Sequence, residues 1–245
     1  MLRYDRHKLI IEYVNEKKSV SIHDICEKFF ISESTARRDI AHLCKSNTLE
    51  RAYGGVVAGS VSASRVTPFF VREQMKEAEK KQIGKKAAAL VKDGDVIIMD
   101  GSTTAHCIIP YLLNKKDLTI VTSSAKTAIA AGEQNIKTFA TGGQMIPGSF
   151  SFYGQEAESM ASRINGDIMF FSCSGLSFDG MLTDRSIEEN NVRKIMMSRA
   201  KKIIFLCDSS KFGQMHLHNL CHISEIDDIV TDNPIPQSIL DSMKK

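Results

Sequence analysis

Six short apolar segments separated by helical patterns constrain the fold of this chain more than any other feature of its sequence. The apolar segments are the strand candidates Val96–Met99, Leu118–Thr122, Lys137–Thr141, Asp167–Ser172, Lys202–Cys207 and Ile226–Thr231. The helical candidates between most of them are Glu77–Val91, Thr104–Leu113, Ala125–Gln134, Gln155–Arg163 and Ile187–Arg199. Strands that alternate with helices predict an α/β domain with a doubly wound, mostly parallel sheet. Such sheets bind ligands at the carboxyl ends of their strands.

The N-terminal part carries a different pattern, in which short helical segments follow one another. Apolar residues at helical spacing predict a first helix over about residues 5–17. Ser21 followed by Asp24 is typical of a capping box and predicts the start of a short second helix. Ser32 is placed to cap a third helix, and β-prone residues follow around a Gly-Gly pair. Three short helices and a small hairpin predict a winged helix-turn-helix of roughly 55 residues.

The third helix carries candidate DNA-binding residues on its polar face. Its apolar residues recur at helical spacing and are Ala36, Ile40 and Leu43. At about 100° per residue the opposite face presents Ser34 and Arg38. Arginine suits guanine through bidentate hydrogen bonds, and hydroxyl groups suit phosphates. The predicted DNA-binding residues, including a wing after the helix, are Ser32, Ser34, Thr35, Arg37, Arg38, Arg51 and Gly54.

Pairing within the protein is the alternative interpretation of the two neighbouring arginines. Arg37 and Arg38 would then form a solvated face with ion pairs to Asp39 or Glu33. The net charge of the whole chain does not decide between the two interpretations, because 32 Lys and Arg against 29 Asp and Glu give only +3. Any capacity to bind DNA therefore depends on where the arginines are placed.

A change of composition near residue 60 indicates a boundary between two domains. The stretch Val57–Thr67 is small, polar and aperiodic, and it ends at Pro68. We therefore predict a DNA-binding domain over residues 1–57, a linker or joint over 58–72, an effector-binding domain over 73–235 and a C-terminal tail over 236–245.

Composition also bears on where the chain works. No apolar run approaches the roughly 20 residues that a membrane helix needs, and the charged start lacks the apolar stretch of a secretory signal. The six cysteines show no CxxC pairing and lie mostly in apolar segments. We therefore expect a cytoplasmic protein with reduced, buried thiols and no membrane partner.

Hydroxyl and charged residues follow three of the strand candidates. The loop Asp100–Thr104 leads into a helix, where free backbone N–H groups and hydroxyls favour an anion. Thr122 and Ser123 follow the next strand, and Asp208 with Lys211 follows a later one. Each loop alone is also typical of a plain N-cap or turn. Three such loops at one sheet edge favour a phosphate site, in which Lys211 supplies positive charge and the aspartates accept from hydroxyls.

The N-terminal residues resemble the signature of the DeoR family of bacterial transcriptional regulators. The motif S-x-x-T-x-R-R-D runs from Ser32 to Asp39, and R-x-x-G-G follows from Arg51 to Gly55. Ala36 stands where the family usually has Ile, and Tyr53 stands at a common His position.

The rest of the chain resembles the sensor domain of the same family, which is similar to the fold of ribose-5-phosphate isomerase. Matches include Gly142-Gly143 and Asp208-x-x-Lys211-x-Gly213, and the resemblance spans about residues 3–235. Ser102 stands where the family usually has Gly, and Ser123 where it usually has Asn. The predicted effector-binding residues are Asp100, Gly101, Ser102, Thr103, Thr104, Thr122, Ser123, Gly143, Asp208 and Lys211.

The resemblance implies a regulator, in particular a repressor of a sugar uptake or catabolic operon controlled by a phosphorylated sugar or related metabolite. We expect no cofactor and no catalysis, with double-stranded operator DNA as partner and a homodimer or homotetramer as the assembly. The alternative is a sugar-phosphate isomerase with an accessory DNA-binding domain, which would use Asp100, Glu188 and Lys211. The cluster of His216, His218, Cys221 and His222 matches no familiar zinc spacing, so we expect no metal.

Overall fold

The helices and strands of the protein form two units. The computed structural model describes residues 3–17, 19–45, 49–52, 55–58 and 67–242. Contacts between Cα atoms divide the chain into Met1–Gln74 and Met75–Lys245. None of the helices in the described ranges is long and apolar enough to cross a membrane.

The N-terminal unit is the winged helix-turn-helix that the sequence predicts. Its elements are α1 (Arg3–Lys17), β1 (Ser19–Ser21), α2 (Ile22–Phe29), α3 (Glu33–Lys45), β2 (Leu49–Ala52), β3 (Gly55–Ala58) and α4 (Phe69–Gln74). The three strands form an antiparallel sheet in the order β1-β3-β2. The predicted capping box starts α2, because Asp24 N donates to Ser21 Oγ at 3.1 Å and Ser21 N donates to Asp24 Oδ2 at 3.0 Å.

A buried carboxylate ties α1 to α3. Asp39 is fully buried and accepts from Arg6 Nε at 2.6 Å, while His7 Nε2 lies 2.9 Å from its other oxygen. Burial raises the pKa of Asp39, but the hydrogen bonds from Arg6 and His7 outweigh burial, and the pKa lies below its ordinary value. The interpretation that Asp39 pairs with Arg37 or Arg38 is therefore wrong, because Asp39 faces the core side of α3.

Part of the predicted joint is helical. The segment 58–72 was expected to be a linker, but α4 begins at Phe69, and Phe70 and Val71 pack on the apolar core of the N-terminal unit. Apolar side chains at the end of the joint thus extend this unit, while residues 59–66 lie outside the described residues.

The C-terminal unit contains the predicted α/β sheet. Its elements are α5 (Glu77–Ala88), β4 (Val96–Met99), α6 (Thr103–His106), β5 (Thr119–Thr122), α7 (Ala125–Glu133), β6 (Lys137–Ala140), β7 (Gln144–Met145), β8 (Phe152–Tyr153), α8 (Gln155–Ser162), β9 (Ile168–Phe171), β10 (Gly175–Leu176), β11 (Met181–Asp184), α9 (Ile187–Ser198), β12 (Ile203–Cys207), β13 (His218–His222), β14 (Asp228–Thr231) and α10 (Gln237–Ser242). Six strands form a parallel sheet in the order β14-β12-β9-β4-β5-β6. The chain runs from β4 outward to β6, then returns to β9 on the other side of β4. This reversal between β4 and β9 is the position where open α/β sheets bind ligands.

Alternate residues of the central strands face two separate apolar layers. Ile97 and Met99 pack in a cluster with α5, whereas Ile98 packs in the cluster that contains α8 and α9 residues. A strand that is buried on both faces reads as a continuous apolar run, which is why these strands were visible in the sequence. The doubly wound fold class is confirmed.

Two predicted segments differ from the structure. The predicted helix Thr104–Leu113 is wrong as one element, because it divides into the four-residue α6 and a 3-10 turn over Ile109–Tyr111. Pro110 lies in that turn and lacks the N–H group that a continuous α-helix needs. The predicted tail contains α10, whose Ile239 is fully buried in the core.

Half of the cysteines are buried. Cys173, Cys207 and Cys221 lie in the core cluster of the C-terminal unit, and the other three are half-buried. Burial raises the pKa of the Cys173 thiol to about 12, so this thiol is protonated at neutral pH.

Candidate nucleic-acid interface and ligand site

The polar face of α3 is exposed as the helical spacing predicts. Ser34, Arg37 and Arg38 are exposed and Thr35 is half-buried. The opposite side is closed, since Ala36 and Leu43 are fully buried. Burial of that side fixes the rotation of α3, and the predicted orientation of its polar face is confirmed.

Three hydroxyl groups meet at the N-terminus of α3. Ser32 Oγ accepts from Thr35 N at 3.3 Å and lies 3.0 Å from Ser34 Oγ and 2.9 Å from Thr35 Oγ1. Ser32 thus caps the helix, and the hydroxyl cluster stands beside the positive end of the helix dipole. Such an end favours a phosphate group of a nucleic-acid backbone.

The two arginines of α3 have different surroundings. Arg37 Nε donates to Glu33 Oε1 at 2.9 Å across one turn of exposed helix. Arg38 is exposed and forms no ion pair with any residue of the described ranges. The alternative interpretation therefore holds for the pairing of Arg37 with Glu33 but not for Arg38. An exposed pair of this kind contributes little stability, so Arg37 can exchange Glu33 for another anion.

Arg51 extends the basic surface from α3 to the wing. It is exposed on β2 and lines a groove together with Arg37 and His23. The groove therefore carries arginines from both the helix and the hairpin. Gly54, predicted to bind DNA in the turn of the wing, lies outside the described residues.

In the C-terminal unit, Asp100 connects the loops that follow the two strands of the reversal. It is buried after β4, where Oδ1 accepts from Ser102 N at 3.1 Å and Oδ2 accepts from Ser172 N at 3.3 Å. Ser172 follows β9, so the carboxylate joins neighbouring strand ends. Arg193 Nε, from α9, donates to the same Oδ2 at 2.9 Å.

Arg193 is a member of this site that sequence reasoning missed. Its Nη1 donates to Asp184 Oδ2 at 3.0 Å and to Asn190 Oδ1 at 2.5 Å. Burial lowers the pKa of Arg193, but Asp100 and Asp184 more than compensate, so the pKa lies above its usual value. In the sequence, Glu189 and Arg193 are spaced i, i+4, which is typical of an ion pair on the exposed face of a helix. The sequence pattern therefore gave no sign that both residues are buried.

Lys211 reaches the same edge from the loop after β12. Its Nζ donates to Ser172 Oγ at 2.7 Å and lies 3.6 Å from Asp208 Oδ2. The Lys211 side chain is 18% exposed, whereas that of Asp208 is 3% exposed. The β4 and β12 loops therefore converge, as predicted, at Ser172, which directly follows the strand β9 that lies between β4 and β12.

Several of the other predicted ligand residues already have structural contacts. Ser102 Oγ accepts from Ala105 N at 3.1 Å and caps α6, beside the buried Thr103 and Thr104. In the β5 loop, Ser124 N donates to Thr122 Oγ1 at 3.1 Å, and Ser123 O accepts from Phe152 N at 2.7 Å. These contacts shape the loops, and a role of these residues in ligand binding stays a prediction.

Two glycines of the predicted site allow close approach of the chain. A Cβ atom on Gly101 would collide with the Ser151 side chain, and its nearest other neighbour would be Glu189 Oε1 at 3.7 Å. Gly143 has a φ of +93°, and a Cβ atom there would lie 2.7 Å from Tyr153 O. Both positions therefore require glycine for packing, whatever they contribute to binding.

Of the three residues that the isomerase alternative requires, Asp100 and Lys211 meet at Ser172. Glu188 is exposed and accepts from Ser186 Oγ at 2.9 Å, whereas Asp100 and Lys211 contact the β9 loop. For the metal alternative, no group of three or more His, Cys, Asp or Glu side chains within the described ranges could hold a metal ion.

Comparisons with known proteins agree with the two-unit organisation. Residues 6–61 match the model of the DeoR-like helix-turn-helix domain, and residues 75–233 match the DeoR C terminal sensor domain. The chain is 33% identical to the HTH-type transcriptional regulator YulB of Bacillus subtilis, over 98% of this chain and 93% of that protein. It is 28% identical to the glycerol-3-phosphate regulon repressor of Escherichia coli, over 98% of this chain and 95% of that protein. Among solved structures, ribose 5-phosphate isomerase A from Methanocaldococcus jannaschii is similar with a TM-score of 0.43 and 21% identity, over 56% of this chain and 55% of that one.

Proposed function

The chain belongs to the DeoR family of transcriptional regulators, and we propose that it is a repressor of a sugar uptake or catabolic operon, released by a phosphorylated sugar or related metabolite. This proposal places its action at operator DNA in the cytoplasm. It requires neither a cofactor nor catalysis by the chain itself.

The N-terminal unit supplies the DNA contacts in this proposal. Arg38, exposed and without an ion-pair partner in the described ranges, reads a base edge in the major groove. The Ser32 hydroxyl cluster and Arg51 bind backbone phosphates on either side. Arg37 joins them once DNA competes for it with Glu33.

The C-terminal unit supplies the effector site, and one observation carries this half of the proposal. Lys211 Nζ lies 2.7 Å from Ser172 Oγ, at the strand end next to the Asp100 loop. A partly exposed ammonium group beside hydroxyl-rich loops suits the double charge of a phosphate monoester. Asp208, held beside Lys211, is placed to accept a hydrogen bond from a hydroxyl of the same ligand.

The two activities are coupled by linkage. Effector and operator favour different arrangements of the same oligomer, so each weakens the binding of the other. One winged helix makes few base contacts, and useful affinity requires at least a dimer that reads repeated half-sites. We therefore propose a homodimer or homotetramer.

A thermal-shift screen against phosphorylated sugars tests the effector half. A ligand at about 100 times its Kd adds about 2.7 kcal/mol to the free energy of unfolding, which raises the Tm by several degrees. Lys211→Ala should abolish this shift, while Lys202→Ala, an exposed lysine at the opposite end of β12, should keep it. If no phosphorylated sugar raises the Tm of the unsubstituted protein, the effector class is wrong.

Two arginine variants test the DNA half, with a DNA fragment from the promoter region of the protein's own gene. Arg38→Ala should weaken binding at least 10-fold in fluorescence anisotropy and leave the ligand-induced Tm shift intact. Arg163→Ala, which removes a guanidinium outside the N-terminal unit, is the control. Loss of both activities in both the Arg38 and Lys211 variants would contradict the two-unit assignment.

A further inference from the structure

Asn190 contains a buried amide donor without an acceptor. The residue is fully buried, and Nδ2 has no hydrogen-bond partner among the residues that the structure describes. Its Oδ1 accepts from Arg193 Nη1 at 2.5 Å. Turning the amide over would place its N–H groups against those of Arg193. The arginine therefore fixes the orientation of the amide, and Nδ2 is the atom that lacks a partner. A buried donor in this state is costly, and a water molecule or a ligand group can accept its hydrogen bond.

The unpartnered donor lies in the candidate ligand site. Amide nitrogen and oxygen are about 2.2 Å apart, so Nδ2 belongs to the same cluster as the Arg193 guanidinium. That guanidinium holds Asp100 through Nε and Asp184 through Nη1. Asn190 therefore faces the polar cluster behind the β4 loop and not the apolar core.

Glu189 brings a carboxylate to the same loop from the preceding position of α9. It is buried, its Oε1 accepts from Ser149 Oγ at 2.7 Å, and this oxygen would lie 3.7 Å from a Cβ atom on Gly101. Its Oε2 accepts no hydrogen bond within the described part of the chain. The Asp100–Gly101 loop thus has the Glu189 carboxylate near Gly101. The Asn190 amide contacts Arg193, which in turn contacts Asp100.

We propose that Glu189 and Asn190 recognise a hydroxyl group of the effector, which makes them specificity-determining residues of the ligand site. A hydroxyl group is both donor and acceptor, so it can donate to Glu189 Oε2 while it accepts from Asn190 Nδ2. A phosphate group does not fit here, because Asp100, Asp184 and Glu189 outnumber the one buried guanidinium. The phosphate binds at Lys211, and the sugar extends toward α9. This inference rests on the proposed function.

Two substitutions test Glu189 and Asn190 individually while they keep the contacts that each residue makes within the protein. Glu189→Gln keeps an oxygen for Ser149 but removes the charge, and Asn190→Asp keeps the oxygen on Arg193 but removes the N–H donor. The chain supplies matched controls on the exposed side of the same helix, since Glu188→Gln and Asn191→Asp make the same chemical changes there. The Tm of each unliganded variant verifies that it is folded.

The measurement is the Kd for two kinds of probe by isothermal titration calorimetry. One is inorganic phosphate, and the other is the tightest binder among ribose 5-phosphate, fructose 6-phosphate, glucose 6-phosphate and glycerol 3-phosphate. We expect Glu189→Gln and Asn190→Asp to weaken the organic phosphate about 10- to 100-fold. Both should change the Kd for inorganic phosphate less than about 3-fold, and both controls should bind like the unsubstituted protein. Lys211→Ala should weaken both probes.

The outcomes distinguish this inference from the function on which it rests. Tight binding of an organic phosphate that neither variant changes overturns the hydroxyl site and leaves the effector class standing. Equal weakening of inorganic phosphate and organic phosphate also overturns it, because the two residues would then act on the phosphate. Binding of none of the four organic phosphates by the unsubstituted protein overturns both. If Asn190→Asp does not fold, Glu189→Gln alone decides.

Discussion

At the scale of single residues, the N-terminal unit depends on one charge. Asp39 sits on the buried side of α3 and is held by Arg6 and His7 of α1. Asp39 therefore anchors α3 to α1. Because Asp39 points to the core, the neighbouring Arg38 is held on the exposed side of the helix. A carboxylate that must remain ionised makes this anchor sensitive to acid.

We predict that Asp39→Asn lowers the free energy of unfolding by about 3 kcal/mol, because Arg6 and His7 lose their partner. The folded-state pKa of Asp39 lies below its ordinary value of 3.8. Its contribution is therefore complete above that value and is lost as the pH falls through the folded-state pKa. Hydrogen exchange of α1 and α3 amides between pH 6 and 3 measures both effects.

Asp5→Asn is the matched control, since it removes a carboxylate from the exposed side of α1. If Asp39→Asn and Asp5→Asn lose protection equally, the buried ion pair does not stabilise the unit.

At the scale of elements, the segment between β7 and β8 covers the β4 loop. Phe150 has a φ of +59°, its carbonyl accepts from Ala125 N at 2.9 Å, and Phe152 N donates to Ser123 O at 2.7 Å. The neighbouring Ser149 and Ser151 are buried against Glu189 and Gly101. The segment thus closes the candidate ligand site on one side.

Gly101→Ala should force this segment away from the β4 loop, because the new methyl group collides with Ser151. We predict a loss of about 1–3 kcal/mol in the free energy of unfolding, together with weaker effector binding. Ser151→Gly in the same chain removes the colliding atoms and should recover most of both. Thermal denaturation and effector titration of the single and double variants measure this. Failure of the double variant to recover would mean that Gly101 is required for another reason.

The elements also show what the sequence could predict. All six strands of the parallel sheet were predicted. Burial on both faces gives the central strands β4 and β9 a continuous apolar run, whereas the edge strand β6 is mostly exposed. The antiparallel strands β10, β11 and β13 were not, because β10 has only two residues and polar side chains interrupt β11 and β13. The helix over Thr104–Leu113 was predicted too long, because its apolar spacing continues through Pro110.

The candidate sites were predicted unevenly for a related reason. Residues that follow a strand are visible as polar breaks in an apolar run, and Asp100, Asp208 and Lys211 were found in this way. Arg193, Glu189 and Asn190 lie inside a helix, where charged and polar residues normally indicate a face exposed to solvent. Only the tertiary packing of α9 against the sheet edge reveals that they are buried.

At the scale of the whole molecule, the proposed coupling between effector and operator must be reciprocal. If saturating effector weakens operator binding by a given factor, operator DNA must weaken effector binding by the same factor. We predict equal factors, typically about 5- to 150-fold. Anisotropy titrations of DNA with and without effector, and calorimetric titrations of effector with and without DNA, measure them. Unequal factors at fixed salt and protein concentration would show that the two ligands do not act on one shared equilibrium.

The contact between Lys211 and Asp208 also has a consequence for the concentration at which the protein responds. The ammonium group that we propose as the phosphate ligand already has the carboxylate of Asp208 3.6 Å away, and that carboxylate cannot diffuse off. The phosphate of the effector must therefore compete with the Asp208 carboxylate for the Lys211 ammonium group. The effective concentration of that carboxylate is fixed by the fold. We expect the carboxylate of Asp208 to set the threshold of the sensor, so that the operon stays silent until its substrate is abundant.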